Sequence, residues 1–130
     1  MQYMLLIYLD QNADPTEAQR AQCYQDSDAY GRKLAAEGKF ILSAPLHPTS
    51  TATTIRTVEG RRRVLDGPFA ETREYLGGFF LVEAANLDEA IEIAQAIPAG
   101  KWGTVEIRPV VDISPFLPHP SVDFAGAQST

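Results

Sequence analysis

The chain opens on seven consecutive apolar positions, Tyr3 to Leu9, which stop at Asp10-Gln11-Asn12. So short a run, rich in strand-favouring side chains, predicts a strand with apolar groups on both faces. A helix is expected from Pro15 to about Glu37, with Asp14 as its cap, Glu17 in its first turn and Gly38 as its stop signal. Its apolar stripe of Cys23, Tyr30 and Leu34 is thin, and Ser27 interrupts it. A second strand, Phe40 to Ala44, ends at Pro45, and Leu46 to Ser50, containing His47-Pro48, reads as a loop. The β-rich runs Thr51 to Val58 and Arg61 to Leu65 flank Glu59-Gly60 and predict a β-hairpin. Asp66-Gly67-Pro68-Phe69 breaks that pattern, and Ala70 to Tyr75 reads as a loop or a single helical turn. Gly77-Gly78 then precedes a strand from Phe79 to Ala84. Leu87, Ala90, Ile91, Ala94 and Ile97 recur at helical spacing, with Asn86 or Asp88 as cap and Pro98-Ala99-Gly100 as terminator. A last strand is expected over Thr104 to Val111. From Ser114 onward Pro, Ser, Gly and His dominate, which predicts a tail or an arm lying on a partner.

The order is β-α-β, a hairpin, then β-α-β. It predicts an α+β ferredoxin-like fold, an antiparallel sheet with two helices on one face and an inserted β-hairpin. The domain is expected over residues 1–112, with a tail or dimer arm over 113–130. Both faces of the first strand are apolar, Tyr3, Leu5, Ile7 and Leu9 on one and Met4, Leu6 and Tyr8 on the other. The strand from Phe79 repeats this. Two helices cover one face only, and at about 25 cal/mol per Å² an uncovered second face would forfeit many kcal/mol. A homodimer packed sheet to sheet is the expected cover.

Composition narrows the functional classes. The chain has 130 residues, a net charge of −6 and a single cysteine. An acidic surface repels phosphate backbones, so no direct nucleic-acid partner is expected, and Arg61-Arg62-Arg63 is too short to reverse this. One cysteine excludes an intrachain disulfide framework and fits a reducing compartment. The opening run lacks the basic flank and length of a signal peptide, and no segment reaches membrane-spanning length. A cytoplasmic protein with no membrane partner is expected. His47 and His119 lie too far apart to provide metal-ligand spacing with Cys23, so neither a metal nor another cofactor is predicted.

The densest motif is Asp66-Gly67-Pro68-Phe69-Ala70-Glu71-Thr72-Arg73-Glu74-Tyr75-Leu76-Gly77-Gly78. This run closely resembles the signature of the DGPF family, a branch of the YCII-related proteins. The resemblance extends to Tyr3-Met4-Leu5-Leu6-Ile7-Tyr8, Thr51-Ala52-Thr53-Thr54, Gly78-Phe79-Phe80, Ile97-Pro98-Ala99 and Val105-Glu106-Ile107-Arg108-Pro109, and so covers residues 1–112. It implies a dimeric α/β barrel of ferredoxin-like type. Some YCII relatives look like small-molecule lyases or isomerases, and DGPF proteins often accompany extracytoplasmic-function sigma factors. The His–Asp dyad by which many YCII proteins are recognised places its His on the first helix. Here that helix carries Cys23, Tyr24 and Tyr30 and no histidine.

Two classes of function are therefore carried forward. One is an enzyme, a lyase or isomerase moving a proton on a small acidic molecule without a cofactor. The other is a non-catalytic ligand-binding or regulatory protein linked to a sigma factor. In the first, Asp66 is the candidate acid or base, its carboxylate desolvated by Phe69 and Tyr75. The plainer account has Asp66 accepting N–H groups of its own turn. Glu71 can reach the same cleft or stay solvated. Glu106 and Arg108 share one face of the last strand, where they either form an ion pair at the dimer contact or act together, Arg108 holding a substrate carboxylate and Glu106 moving the proton. Asp66, Glu106 and Arg108 are expected to converge on one concave site near the subunit interface. His47 is a further candidate proton carrier. Cys23 reads as a packing residue without a nearby base, and Trp102 either stacks on a ligand or covers the helix–strand corner.

Overall fold

In the computed structural model, which describes residues 1–118, the opening apolar run becomes strand β1 (Gln2–Asp10). Its alternation sorts the side chains cleanly. Tyr3, Leu5 and Ile7 are buried, whereas Met4, Leu6 and Tyr8 are half-buried. Helix α1 (Glu17–Ala36) begins two residues later than Asp14 would place it, because the cap is Thr16. The Thr16 hydroxyl accepts from the Gln19 N–H at 3.1 Å, and the Thr16 N–H donates to Gln19 Oε1 at 2.8 Å. This reciprocal box satisfies two N-terminal donors. At the other end Gly38 adopts φ +73°, and Lys39 donates back to the Leu34 carbonyl at 2.8 Å.

Strands β2 (Phe40–Pro45), β5 (Glu74–Glu83) and β6 (Gly103–Pro109) join β1 in an antiparallel sheet of order β2-β5-β1-β6. β5 starts at Glu74, five residues before the expected Phe79, and runs straight through Gly77-Gly78. The two glycines are not a break. The register against β1 shifts there, and a Cβ on Gly78 would stand 2.9 Å from the Ala44 carbonyl oxygen. Closely approaching neighbours and a bulge, rather than a turn, account for them. β3 (Thr53–Val58) and β4 (Arg61–Asp66) form the hairpin, which makes a two-stranded sheet of its own.

Helix α2 (Leu87–Gln95) is capped by the Asn86 side chain, which accepts from the Glu89 N–H at 2.9 Å. Both helices lie on one face of the four-stranded sheet. Leu34 of α1 and Ala90, Ile93 and Ala94 of α2 join Tyr3, Leu5, Ile7, Phe80, Val82 and Ala84 in a single core. The Tyr30 hydroxyl locks the helices together by donating to the Ile93 carbonyl at 2.8 Å. The opposite face carries Met4, Leu6 and Tyr8 beside Leu42, Leu76, Phe79 and Leu81, of which Leu81 is fully buried and the others keep part of their surface in solvent. The α+β ferredoxin-like architecture with an inserted hairpin is thus present. No helix among the described residues is long and apolar enough to cross a membrane. After β6 the chain makes a 3-10 turn, Ser114–Phe116. His119 and most of the segment assigned to a partner-embracing arm lie outside the described residues.

Candidate functional site

A cleft of about 720 Å³ opens on the helix side of the sheet, where α1, the C-terminal end of β1, the end of β2 and the start of β5 come together. β1 and β5 supply its floor: Ile7 and Leu9 keep their alternation on the helix face, and Tyr75 sits opposite Leu9 in the register. The loop after β2 brings in Leu46, His47 and Pro48, and the 3-10 helix Pro98–Trp102 contributes Ala99 and Trp102. The remaining wall is the first half of α1, which presents Arg20, Cys23, Tyr24, Ser27 and Asp28. This explains the weak apolar stripe of α1. Its sheet-facing side lines a cleft over the first half and joins the core only from Tyr30 and Leu34 onward.

The polar groups in the cleft differ in how far they are already engaged. Asp28 is paired with Arg32 at 2.9 Å on the outer rim. Arg20 spends one Nη2–H on the Pro15 carbonyl at 3.2 Å. Burial pushes the Cys23 thiol up from its ordinary range, with the neighbouring Ser27 hydroxyl opposing in part, so Cys23 stays a neutral thiol. His47 makes no side-chain hydrogen bond among the described residues and is exposed at the mouth. Apolar walls with a few polar groups are the usual make-up of a small-molecule site. Among the described residues no three of His, Cys, Asp and Glu gather closely enough to hold a metal ion.

Of the residues singled out from sequence, His47, Tyr75, Cys23 and Trp102 line this cleft; Asp66, Phe69, Glu71, Glu106 and Arg108 do not. Asp66 ends β4 in the separate hairpin sheet, whereas Glu106 and Arg108 lie on β6, the edge of the main sheet remote from β2. No ion pair joins any two of them. Phe69 is 79% exposed and cannot desolvate Asp66. The Asp66 side chain is itself exposed and accepts no hydrogen bond among the described residues, so the turn-capping account fails. What the signature does provide is geometry. Gly67 takes φ +92° and donates to the Ala52 carbonyl at 2.7 Å, closing the base of the hairpin, while the Arg73 carbonyl accepts from the Gln11 N–H at 2.7 Å, holding the loop against the end of β1. Glu106 and Arg108 are exposed on the uncovered sheet face, where solvent screens both, and no pairing is needed to offset burial. Arg20, Tyr24, Ser27 and Asp28 were not foreseen as site residues. Their signal was the polar interruption of the α1 stripe.

The sequence matches the YCII-related domain family over residues 1–114. It is 36% identical over 119 residues to "Uncharacterized protein R00369" of Rhizobium meliloti (strain 1021), a match spanning 88% of this chain and 96% of that protein. Among solved structures, 5-chloro-2-hydroxyhydroquinone dehydrochlorinase (TftG) from Burkholderia phenoliruptrix AC1100, in complex with 2,5-dihydroxybenzoquinone, is similar over 85% of this chain and 94% of its own. That similarity has a TM-score of 0.49 and 18% sequence identity.

Proposed function

The chain belongs to the YCII-related family, and from that premise we propose that its cleft binds a small acidic organic molecule and moves a proton on it, as a lyase or isomerase does. The observation that carries this reading is the convergence of His47, Tyr75 and Arg20 on one cleft with apolar walls. His47 is the acid–base group. Arg20 anchors the negative charge of the ligand, the part first given to Arg108, and Tyr24 and Tyr75 offer hydroxyl donors and ring faces. The action belongs in the cytoplasm, where a lone thiol such as Cys23 stays reduced.

A thermal-shift screen of small carboxylic acids against the wild type identifies ligands. Proton exchange of each hit in D2O, followed by NMR, then reads the chemistry. His47→Asn is expected to keep ligand binding and lose exchange by about 10²–10⁴-fold, the ordinary contribution of a positioned acid or base. Exchange at the wild-type rate in His47→Asn removes His47 from the reaction. Binding with no exchange in either protein makes the chain a ligand-binding module.

We further propose that a second copy covers the open sheet face. Support comes from the apolar set Met4, Leu6, Tyr8, Leu42, Leu76 and Phe79 on that face, with Leu42 at 40% and Leu76 at 39% exposure. Sedimentation equilibrium at micromolar concentration should give a dimer for the wild type and a monomer for Leu6→Arg.

A further inference from the structure

The β3–β4 hairpin is poorly supported by its own chain. Every residue of β4 and all of β3 except Thr54 is exposed, and Ile55 and Val64, paired across the strands, are 62% and 69% exposed. A lone two-stranded sheet is marginal in water. Its charges make this worse. Arg56 stands directly opposite Arg63, Arg61 and Arg62 follow towards the turn, and none of the four forms an ion pair among the described residues. Like charges facing each other across a ladder oppose its formation. The hairpin also inverts the charge of the rest of the chain. It holds four of the eleven basic residues against two of the seventeen acidic ones, Glu59 and Asp66, for +2, and leaves −8 on the remainder.

We infer that this hairpin is a docking arm for a second copy of the chain, its arginines seated on the acidic surface of that copy. The exposed Ile55–Val64 pair supplies the apolar contact, and the arginines supply the charge that the −8 remainder complements. In a two-fold dimer the arrangement occurs twice, so each arginine counts double. The inference takes the dimer proposed above as its setting, but it concerns a different surface from the sheet face.

The test is sedimentation equilibrium of the full chain at 0.05 and 0.5 M NaCl, with far-UV circular dichroism as the check on folding. For the wild type, high salt should raise the dimer dissociation constant about tenfold. Arg56→Glu/Arg63→Glu should raise it about tenfold at low salt and flatten the salt dependence. Ile55→Ser/Val64→Ser, which leaves the charges alone, should weaken the dimer while preserving the salt dependence. A wild-type constant in both double variants overturns the arm, even if Leu6→Arg still yields monomers and so upholds the sheet-face contact. Conversely, if Leu6→Arg stays dimeric and Arg56→Glu/Arg63→Glu dissociates, the arm stands and the sheet-face contact falls. A wild type that is monomeric throughout and is retained on heparin through these arginines also overturns it, in favour of a polyanion partner.

Discussion

Gly103 opens β6 where that strand comes closest to β1. A Cβ built there would lie 1.9 Å from the Tyr8 carbonyl oxygen, and because the obstacle is backbone it cannot rotate away. Gly103→Ala should therefore lower the free energy of unfolding by about 3 kcal/mol, near the upper end for overpacking, as read from urea midpoints. Cys23 and Tyr30 give the molecule an alkaline weakness. Burial raises the ionisation of both above the ordinary range, and Glu37 adds to the effect at Tyr30. The folded chain then holds these protons at pH values where the unfolded chain has released them. Stability is full below the unfolded cysteine value of about 8.5 and falls as pH rises from there through the raised folded values. Urea unfolding between pH 8 and 10.5 should show a declining midpoint (about the range set by those two groups). Cys23→Ala should flatten the first part of that decline and leave the later, tyrosine part in place.

The elements show where local signals suffice. Gly38 ends α1 and Asn86 starts α2 as the sequence suggests, because each signal is satisfied by neighbours within a few residues. The start of α1 is set just as locally, but two starts compete there: Asp14 has Glu17 three positions on and Thr16 has Gln19, and the box that closes is that of Thr16 and Gln19. Thr16→Ala should cost about 1 kcal/mol in unfolding experiments. It should also loosen ligand binding in the cleft, since Asp14, Pro15 and Arg20 all line it. The start of β5 was hidden for a different reason. Gly77-Gly78 reads as punctuation along the chain, and only the close approach of Leu9 to Gly77 and of the β2 backbone to Gly78 shows why a strand needs glycine there.

For the molecule as a whole, alternation within Tyr3–Leu9 and the helical spacing of Leu87–Ile97 made the architecture legible, because each burial pattern repeats at its own period. The site was legible in part. His47 and Tyr75 reach the cleft, but Asp66, Glu106 and Arg108 owed their selection to position in a motif or on a strand face, and which surfaces meet across the fold is not written in either. The signature marks a joint, with Gly67 closing the hairpin, and of its chemistry-bearing side chains Tyr75 reaches the cleft whereas Asp66 and Glu71 do not.

The strand order has a consequence in time. β1 occupies the middle of the sheet, yet both of its neighbours, β5 and β6, come from the second half of the chain. At ribosomal speeds of about 5–20 residues per second, the nascent β1 waits roughly 4–15 s before β5 has been synthesised. During that interval its seven apolar side chains have only α1, β2 and the hairpin strands beside them, none of which is a sheet neighbour of β1 in the finished fold. A fragment ending at Arg73 should accordingly remain unfolded and prone to aggregate, with no helical signal that melts cooperatively. The complete chain should refold on the slower, millisecond-to-second side of the range for small domains. The apolar opening that anchors the finished sheet is thus the segment most exposed while the protein is being made.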